Sequence, residues 1–308
     1  MCGIAGYFHK TGGDEPIGSV LLAMLTALAR RGPDSAGVAL YGRGEPRGEI
    51  GWIKLREAED VDRSEEVTLD RLSRAGRVLS HARRGLLLRV VLEREMAVRD
   101  LCERIERDGV EVISLGTRLE LVKEVGAPRN LIADLDLASF RGSHGIGHTR
   151  LSTESKVDLS HSQPFWARGV LDLATVHNGH ITNYDRMRRI YEGRGYHFFT
   201  HNDSEVIAVY LADHLSRGRS FEEALRSSLE DLDGSFTYLA TTSEEFGYAR
   251  DPFAFKPLIT VETERAVAVA NEEIAIRSAL GDAGTAHEPS GHVYRVWRRT
   301  PTRVGVPA

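Results

Sequence analysis

Strand-like and helix-like runs come in blocks along this 308-residue chain rather than in alternation. A strand run over residues 3–8 opens it, inside "MCGIAGYF". A helix pattern follows in "PIGSVLLAMLTALA", which Gly32 and Pro33 break, and then strand runs in "GVALYG" and "EIGWIKL". Later, "GIGHTRLS" and "VLDLATVHNG" read as strands. Three helical stretches come next, "TNYDRMRRIYEGRG", "DSEVIAVYLADHL" and "SFEEALRSSLEDLDG". The tail returns to strands in "SFTYLATT", "EFGYARD", "PLITVET", "AVAVANE" and "HVYRVWRR", with the short helix "EEIAIRSAL" among them. A regular strand–helix–strand series does not arrange itself this way; the blocks predict α+β architecture, with sheets in layers and helices outside.

From about residue 58 to 139 the texture changes. Charge-rich helical stretches surround "LLLRVVLE", and "VEVISL", "RLELVKEV" and "RNLIADLDLASF" follow. That order is sufficient for a small α+β unit of its own. The expected organisation is a discontinuous main domain, 2–57 and 140–308, with an inserted unit at 58–139.

A net charge of −5 and a pI near 6.2, with no basic stretch interleaved with aromatics, argue against nucleic acid as a partner. No apolar stretch is long enough to span a bilayer, and two cysteines make neither a disulfide framework nor a zinc cluster, so the expected setting is cytoplasmic and reducing. Cys102 shows the ordinary fate of a free cysteine. With Val98, Leu101 and Ile105 it falls on one stripe of an amphipathic helix, and it reads as core.

Cys2 is different because of its position. Methionine removal is permitted when the second residue is small, and it leaves Cys2 carrying a thiol and the chain's α-amine. A thiol needs a base to act as nucleophile near neutral pH. An α-amine titrates near ~7.7 to 8.0, so it can take that proton and return it to a leaving group. An oxyanion formed by such attack needs donors, and "VHNGH" offers the Asn178 side-chain amide and the Gly179 N–H side by side. Taken alone, the same dipeptide reads as a hairpin turn.

The ordered set "CGI.G", "RGPDSAG", "GHTRLST", "HNG" and "NDSEV" resembles the class II glutamine amidotransferases, over roughly 2–57 and 140–280. The resemblance implies a four-layer αββα N-terminal-nucleophile hydrolase fold, with Cys2 as nucleophile and its amine as base, and ammonia released from glutamine. It places the glutamine carboxylate on Arg150, with Thr153 its matching neighbour, and the glutamine ammonium on Asp203. Arg31 is implied to hold the nucleophile's end of the chain. Taken singly, Arg150 reads as a surface strand residue, Asp203 as a helix N-cap and Arg31 as a helix C-terminal charge. Leu151 and Glu154 stand where some members carry tryptophan and histidine, and a glutamate beside a substrate carboxylate is unfavourable unless it points away.

Asp34 and Arg150 lie 116 positions apart, and with Ala308 as the last residue no acceptor domain is expected in this chain. Both features, with "GHTRLSTES" and "HNDSEV", resemble the stand-alone amidotransferase subunit of N-methylglutamate synthase and related split glutamate synthases. The expected partner is a flavin and iron–sulfur synthase subunit in a hetero-oligomer, with no cofactor in this chain. Service to another acceptor, or a non-catalytic glutamine-sensing subunit, are the alternatives. The histidine pairs 144/148, 177/180 and 197/201 lack metal-ligand company at the required spacing, so no metal site is expected.

Overall fold

A computed structural model describes residues 2–11, 13–56, 60–131, 136–152 and 156–300. Seven antiparallel strands form the larger sheet, in the order β15 (Ala286–His287), β13 (Ile259–Glu262), β14 (Ala266–Ala270), β1 (Gly3–His9), β8 (His144–Arg150), β2 (Ser35–Tyr41), β7 (Leu119–Val125). A second antiparallel sheet runs β16 (Val293–Arg298), β12 (Glu245–Arg250), β11 (Gly234–Thr241), β10 (Ala174–Ile181), β9 (Phe165–Trp166).

The two sheets pack face to face. Phe8 of β1 stacks on Phe246 of β12 with ring centroids 5.9 Å apart, and Phe246 meets Trp297 of β16 at 5.7 Å. Burying one such side chain contributes roughly 1.5–3 kcal/mol. The approach is close enough that a Cβ on Gly6 would sit 2.7 Å from the Phe246 ring, which is why β1 is small there. Helices α1 (Ile17–Ala27) and α7 (Glu273–Leu280) cover the outer face of the larger sheet, α1 through Ile17, Leu21, Met24 and Leu25. Helices α4 (Tyr184–Gly193), α5 (Asp203–Ser216) and α6 (Phe221–Asp231) cover the outer face of the second sheet, with Val206, Val209, Leu225 and Phe236 in one apolar cluster. The result is the four-layer αββα arrangement, and β1 is buried from Gly3 to Phe8 because both its faces are covered.

A third, four-stranded sheet, β4 (Gly76–Arg84), β5 (Leu87–Arg94), β3 (Glu49–Lys54), β6 (Glu111–Gly116), carries α2 (Val61–Ser73) and α3 (Val98–Ile105). The strands do not divide at 57/58 and 139/140. β3 lies between β5 and β6 in the small sheet, whereas β7 pairs with β2 from Tyr41↔Leu119 to Ser35↔Val125. A strand-like run carries no mark of the sheet it joins, since pairing is settled by contacts distant in sequence. Cys102 is buried in α3, and desolvation pushes its thiol up to about 12. Among the described residues no helix is long and apolar enough to cross a membrane.

Candidate active site

The register of β1 decides what surrounds Cys2. Gly3 pairs with Thr149 and Ala5 with Ala270, so Cys2 lies where β8 ends in Arg150 and leads into Leu151 and where β14 leads into Asn271 and Glu272. From the facing sheet, β10 brings Asn178 and Gly179, and α5 brings Asp203 at its first turn. Cys2, Arg31, Arg150, Asn178, Gly179 and Asp203 all line one cavity of about 560 Å³. Thr153 and Glu154 lie outside the described residues.

Two donors converge on the Cys2 carbonyl: Arg31 Nε at 3.1 Å and Asn178 Nδ2 at 3.1 Å. Arg31 also pairs with Glu272 at 2.5 Å, which holds the guanidinium toward the start of the chain. The Leu151 N–H donates to Cys2 Sγ at 3.3 Å, and the thiol in turn donates to Leu151 O at 3.5 Å, so the sulfur is held against the end of β8. The carbonyl of Cys2 can only accept, so Asn178 presents Nδ2 to it and Oδ1 to His148 Nε2, 3.3 Å away. That nitrogen therefore carries the proton. His148 is fully buried, and desolvation lowers its pKa to about 3, so the ring stays neutral and Asn178 Oδ1 is its acceptor in the resting site.

Asn178 and Gly179 do not form a turn. They lie inside β10, opposite Thr237 and Phe236, and the ladder continues to Ile181↔Gly234. Gly179 has φ +135°, and a Cβ there would sit 2.0 Å from Ser235 O, so the position takes only glycine. Asp203 is not the helix cap either. Asn202 caps α5 by accepting from Ser204 N at 3.0 Å, which leaves the Asp203 carboxylate facing the cavity, with Oδ2 accepting from Ile181 N at 2.9 Å. Arg150 is buried rather than on the surface, and its Nη1 donates to Lys156 O at 2.9 Å. Burial lowers its pKa while the neighbouring Cys2, Asp158 and Asp34 oppose that shift. A guanidinium thus stands across the cavity wall from a carboxylate, complementary to a small zwitterion.

Three supports escape sequence reasoning. Asp34, inside "RGPDSAG", accepts from Ser152 N at 2.8 Å through Oδ2, while its own N–H donates to Arg150 O at 3.0 Å. It therefore fixes the segment whose Leu151 N–H meets the sulfur. Asn271 Oδ1 accepts from Ile4 N and, at 3.3 Å, from Asn178 Nδ2, and Glu272 is the partner of Arg31. The motif around Asp34 was signal enough to find it; "NEE" after a strand was not.

Of the paired histidines, His144, His148 and His177 are buried, whereas His180, His197 and His201 are exposed. His144 stacks on Tyr41 at 4.2 Å and bonds Ser143 Oγ and Thr242 O, and His177 Nδ1 meets Ser204 Oγ at 2.8 Å.

Residues 148–278, which contain Arg150, Asn178, Gly179 and Asp203, match the family model described as a glutamine amidotransferase domain. Over 289 residues the chain is 38% identical to a glutamine amidotransferase-type protein of Methanothermobacter thermautotrophicus, covering 91% of this chain and 94% of that one. It is 37% identical to the glutamine amidotransferase-like protein GlxB of Rhizobium meliloti, covering 99% and 97%. The chain belongs to the glutamine amidotransferase family. This amidotransferase shares its fold with the allosteric regulatory enzyme of purine biosynthesis, with a TM-score of 0.63 at 19% identity over 96% of this chain. The glutamine phosphoribosylpyrophosphate amidotransferase of B. subtilis superposes with a TM-score of 0.60, also at 19% identity. The chain spans 47% and 49% of the length of those two. The αββα layers are thus the fold of those two enzymes.

Proposed function

We propose that this amidotransferase is a cysteine glutaminase: Cys2, freed of Met1, hydrolyses glutamine to glutamate and ammonia, and the ammonia passes to a partner synthase. The reading is carried by the convergence of Cys2, Asn178, Arg150 and Asp203, drawn from four separate elements, on one cavity.

Glutamine enters with its α-carboxylate on the Arg150 guanidinium and its α-ammonium on Asp203, which directs the side-chain amide toward Cys2. The α-amine of Cys2 takes the thiol proton as Sγ attacks the amide carbon, and the Leu151 N–H eases the charge on sulfur. The oxyanion is met by Asn178 Nδ2, turned from its ground-state acceptors, and by the Gly179 N–H. The protonated amine then gives its proton to the leaving nitrogen, so ammonia departs and a γ-glutamyl thioester remains. Water, deprotonated by the same amine, cleaves that thioester and restores the thiol. Arg31 keeps the Cys2 carbonyl, and with it the amine, in place throughout. Nucleophile, base and donors all come from this chain, so the step needs no cofactor of its own.

The acceptor belongs to a partner of the glutamate synthase or N-methylglutamate synthase type, bearing flavin and iron–sulfur groups. What supports this finer reading is the resemblance in "GHTRLSTES" and "HNDSEV" and the long separation of Asp34 from Arg150.

Ammonia release from glutamine by purified chain lacking Met1 is the test. Cys2→Ala abolishes it on this account; full activity in Cys2→Ala overturns the mechanism.

A further inference from the structure

Four consecutive cavity-lining residues, His201, Asn202, Asp203 and Ser204, lie between two points that are tied together. On one side Phe199 N and Thr200 N donate to Glu205 at 2.8 Å each, and Thr200 Oγ1 donates at 2.7 Å; on the other side is Glu205 itself, in the first turn of α5. The Glu205 carboxylate thus closes the loop that carries Asp203. Its orientation is set in turn by Arg168, whose Nη1 donates to Glu205 Oε1 at 3.2 Å and whose guanidinium lies 5.0 Å over the Phe199 ring.

The remaining bonds of Arg168 go to the inserted unit. Nη2 and Nε donate to Glu106 Oε1, beyond the end of α3, at 2.8 and 3.2 Å, and Nη2 stands 3.7 Å from Glu111 Oε1 on β6. All three glutamates and Arg168 are largely removed from water, where a guanidinium with several carboxylates is held firmly and loses much when one partner goes. Glu106 and Glu111 are themselves anchored, by Val112 N at 3.0 Å and Ser160 Oγ at 2.5 Å.

We infer that Arg168 is a positioning residue for the ammonium end of the substrate cavity, through which the placement of the inserted unit sets glutamine affinity. The inference rests on Asp203 as the holder of the glutamine ammonium. Arg168 touches no reacting atom; it acts through Glu205 and the 199–202 segment. The inserted unit is accordingly part of the binding apparatus, and anything that shifts Glu106 or Glu111 shifts Asp203.

The experiment compares wild type with Glu106→Gln, Arg168→Leu and Arg168→Lys by steady-state glutaminase kinetics, Cys2 alkylation with iodoacetamide, and amide exchange at Phe199 and Thr200. Glu106→Gln raises KM for glutamine at least about fivefold, the lower end of ordinary coupling between sites, while kcat and the alkylation rate hold. Arg168→Leu shows a larger rise and Arg168→Lys falls between, as expected when a point charge replaces a fork. The Phe199 and Thr200 amides exchange faster in each variant. Unchanged KM in Glu106→Gln and in folded Arg168→Leu overturns the inference, whatever the exchange rates. If wild type releases no ammonia from glutamine, the functional reading falls on its own; exchange at Phe199 and Thr200 then decides the linkage, and unchanged rates sink it.

Discussion

The two ends of the cavity are built differently. At the nucleophile end, position comes from the main-chain ladder: Cys2 is one residue before β1, Arg150 closes β8, and Asn178 and Gly179 lie within β10. At the ammonium end, Asp203 stands on a helix start and a loop whose anchor is a side-chain ion cluster reaching into the inserted unit. Ladder-held groups are fixed by many backbone bonds, each redundant with its neighbours. The ion cluster depends on a few side chains, so the ammonium end is the tunable one and the nucleophile end the invariant one.

Substitutions at the two ends separate the contributions. The largest effect belongs to Asn178→Ala: loss of an oxyanion donor lowers kcat by ~10² to 10³, with KM nearly unchanged, because Arg31 still holds the Cys2 carbonyl. A KM effect of that size with kcat intact would erase the distinction drawn here. Asp203→Asn is next. A charged hydrogen bond is worth about 1.5–3 kcal/mol, so KM for glutamine rises about tenfold or more while Cys2 alkylation is unaffected. Steady-state kinetics over a range of glutamine concentrations read both variants.

The smallest effect concerns Lys123, buried under the Phe165 ring at 5.0 Å, with Glu111 and Glu205 near enough to act on its charge. Desolvation pulls its pKa down to about 8 from 10.5, with Glu111 opposing. Between those values the unfolded chain binds a proton that the folded chain does not, so stability rises with pH there. The slope is at most about 1.4 kcal/mol per pH unit and vanishes below the folded value. Denaturant unfolding of wild type and Lys123→Met from pH 7 to 10.5 shows the rise only in wild type; equal slopes would mean that the ammonium is not buried in the folded protein.

The same contrast explains what the sequence made legible. Blocks of strand and helix pattern pointed to layered sheets, because two-sided burial writes continuous apolar runs such as β1 and amphipathic stripes such as α1. The nucleophile end was readable because its residues sit in short contiguous motifs at strand ends. Sheet membership was not: β3 and β7 look alike as strands, and their exchange between sheets follows from pairings more than thirty positions apart. Asn178–Gly179 alone favoured a turn, since the ladder that overrides this lies at Thr237 and Phe236. Arg168, Glu106 and Glu111 carried no signal at all, and Glu205, though inside "NDSEV", carried none of its role as the anchor of the loop. Isolated charges in charge-rich stretches read as solvated faces, and only the fold gathers them.

The central claim is that Cys2, as the first residue, is both nucleophile and base. Its most direct test is mass spectrometry of the N-terminal peptide after treatment with a glutamine-analogue electrophile. The account predicts a chain without Met1, a covalent adduct on Cys2 and parallel loss of ammonia release. Active protein that retains Met1, or that loses activity with Cys2 unmodified, would contradict it.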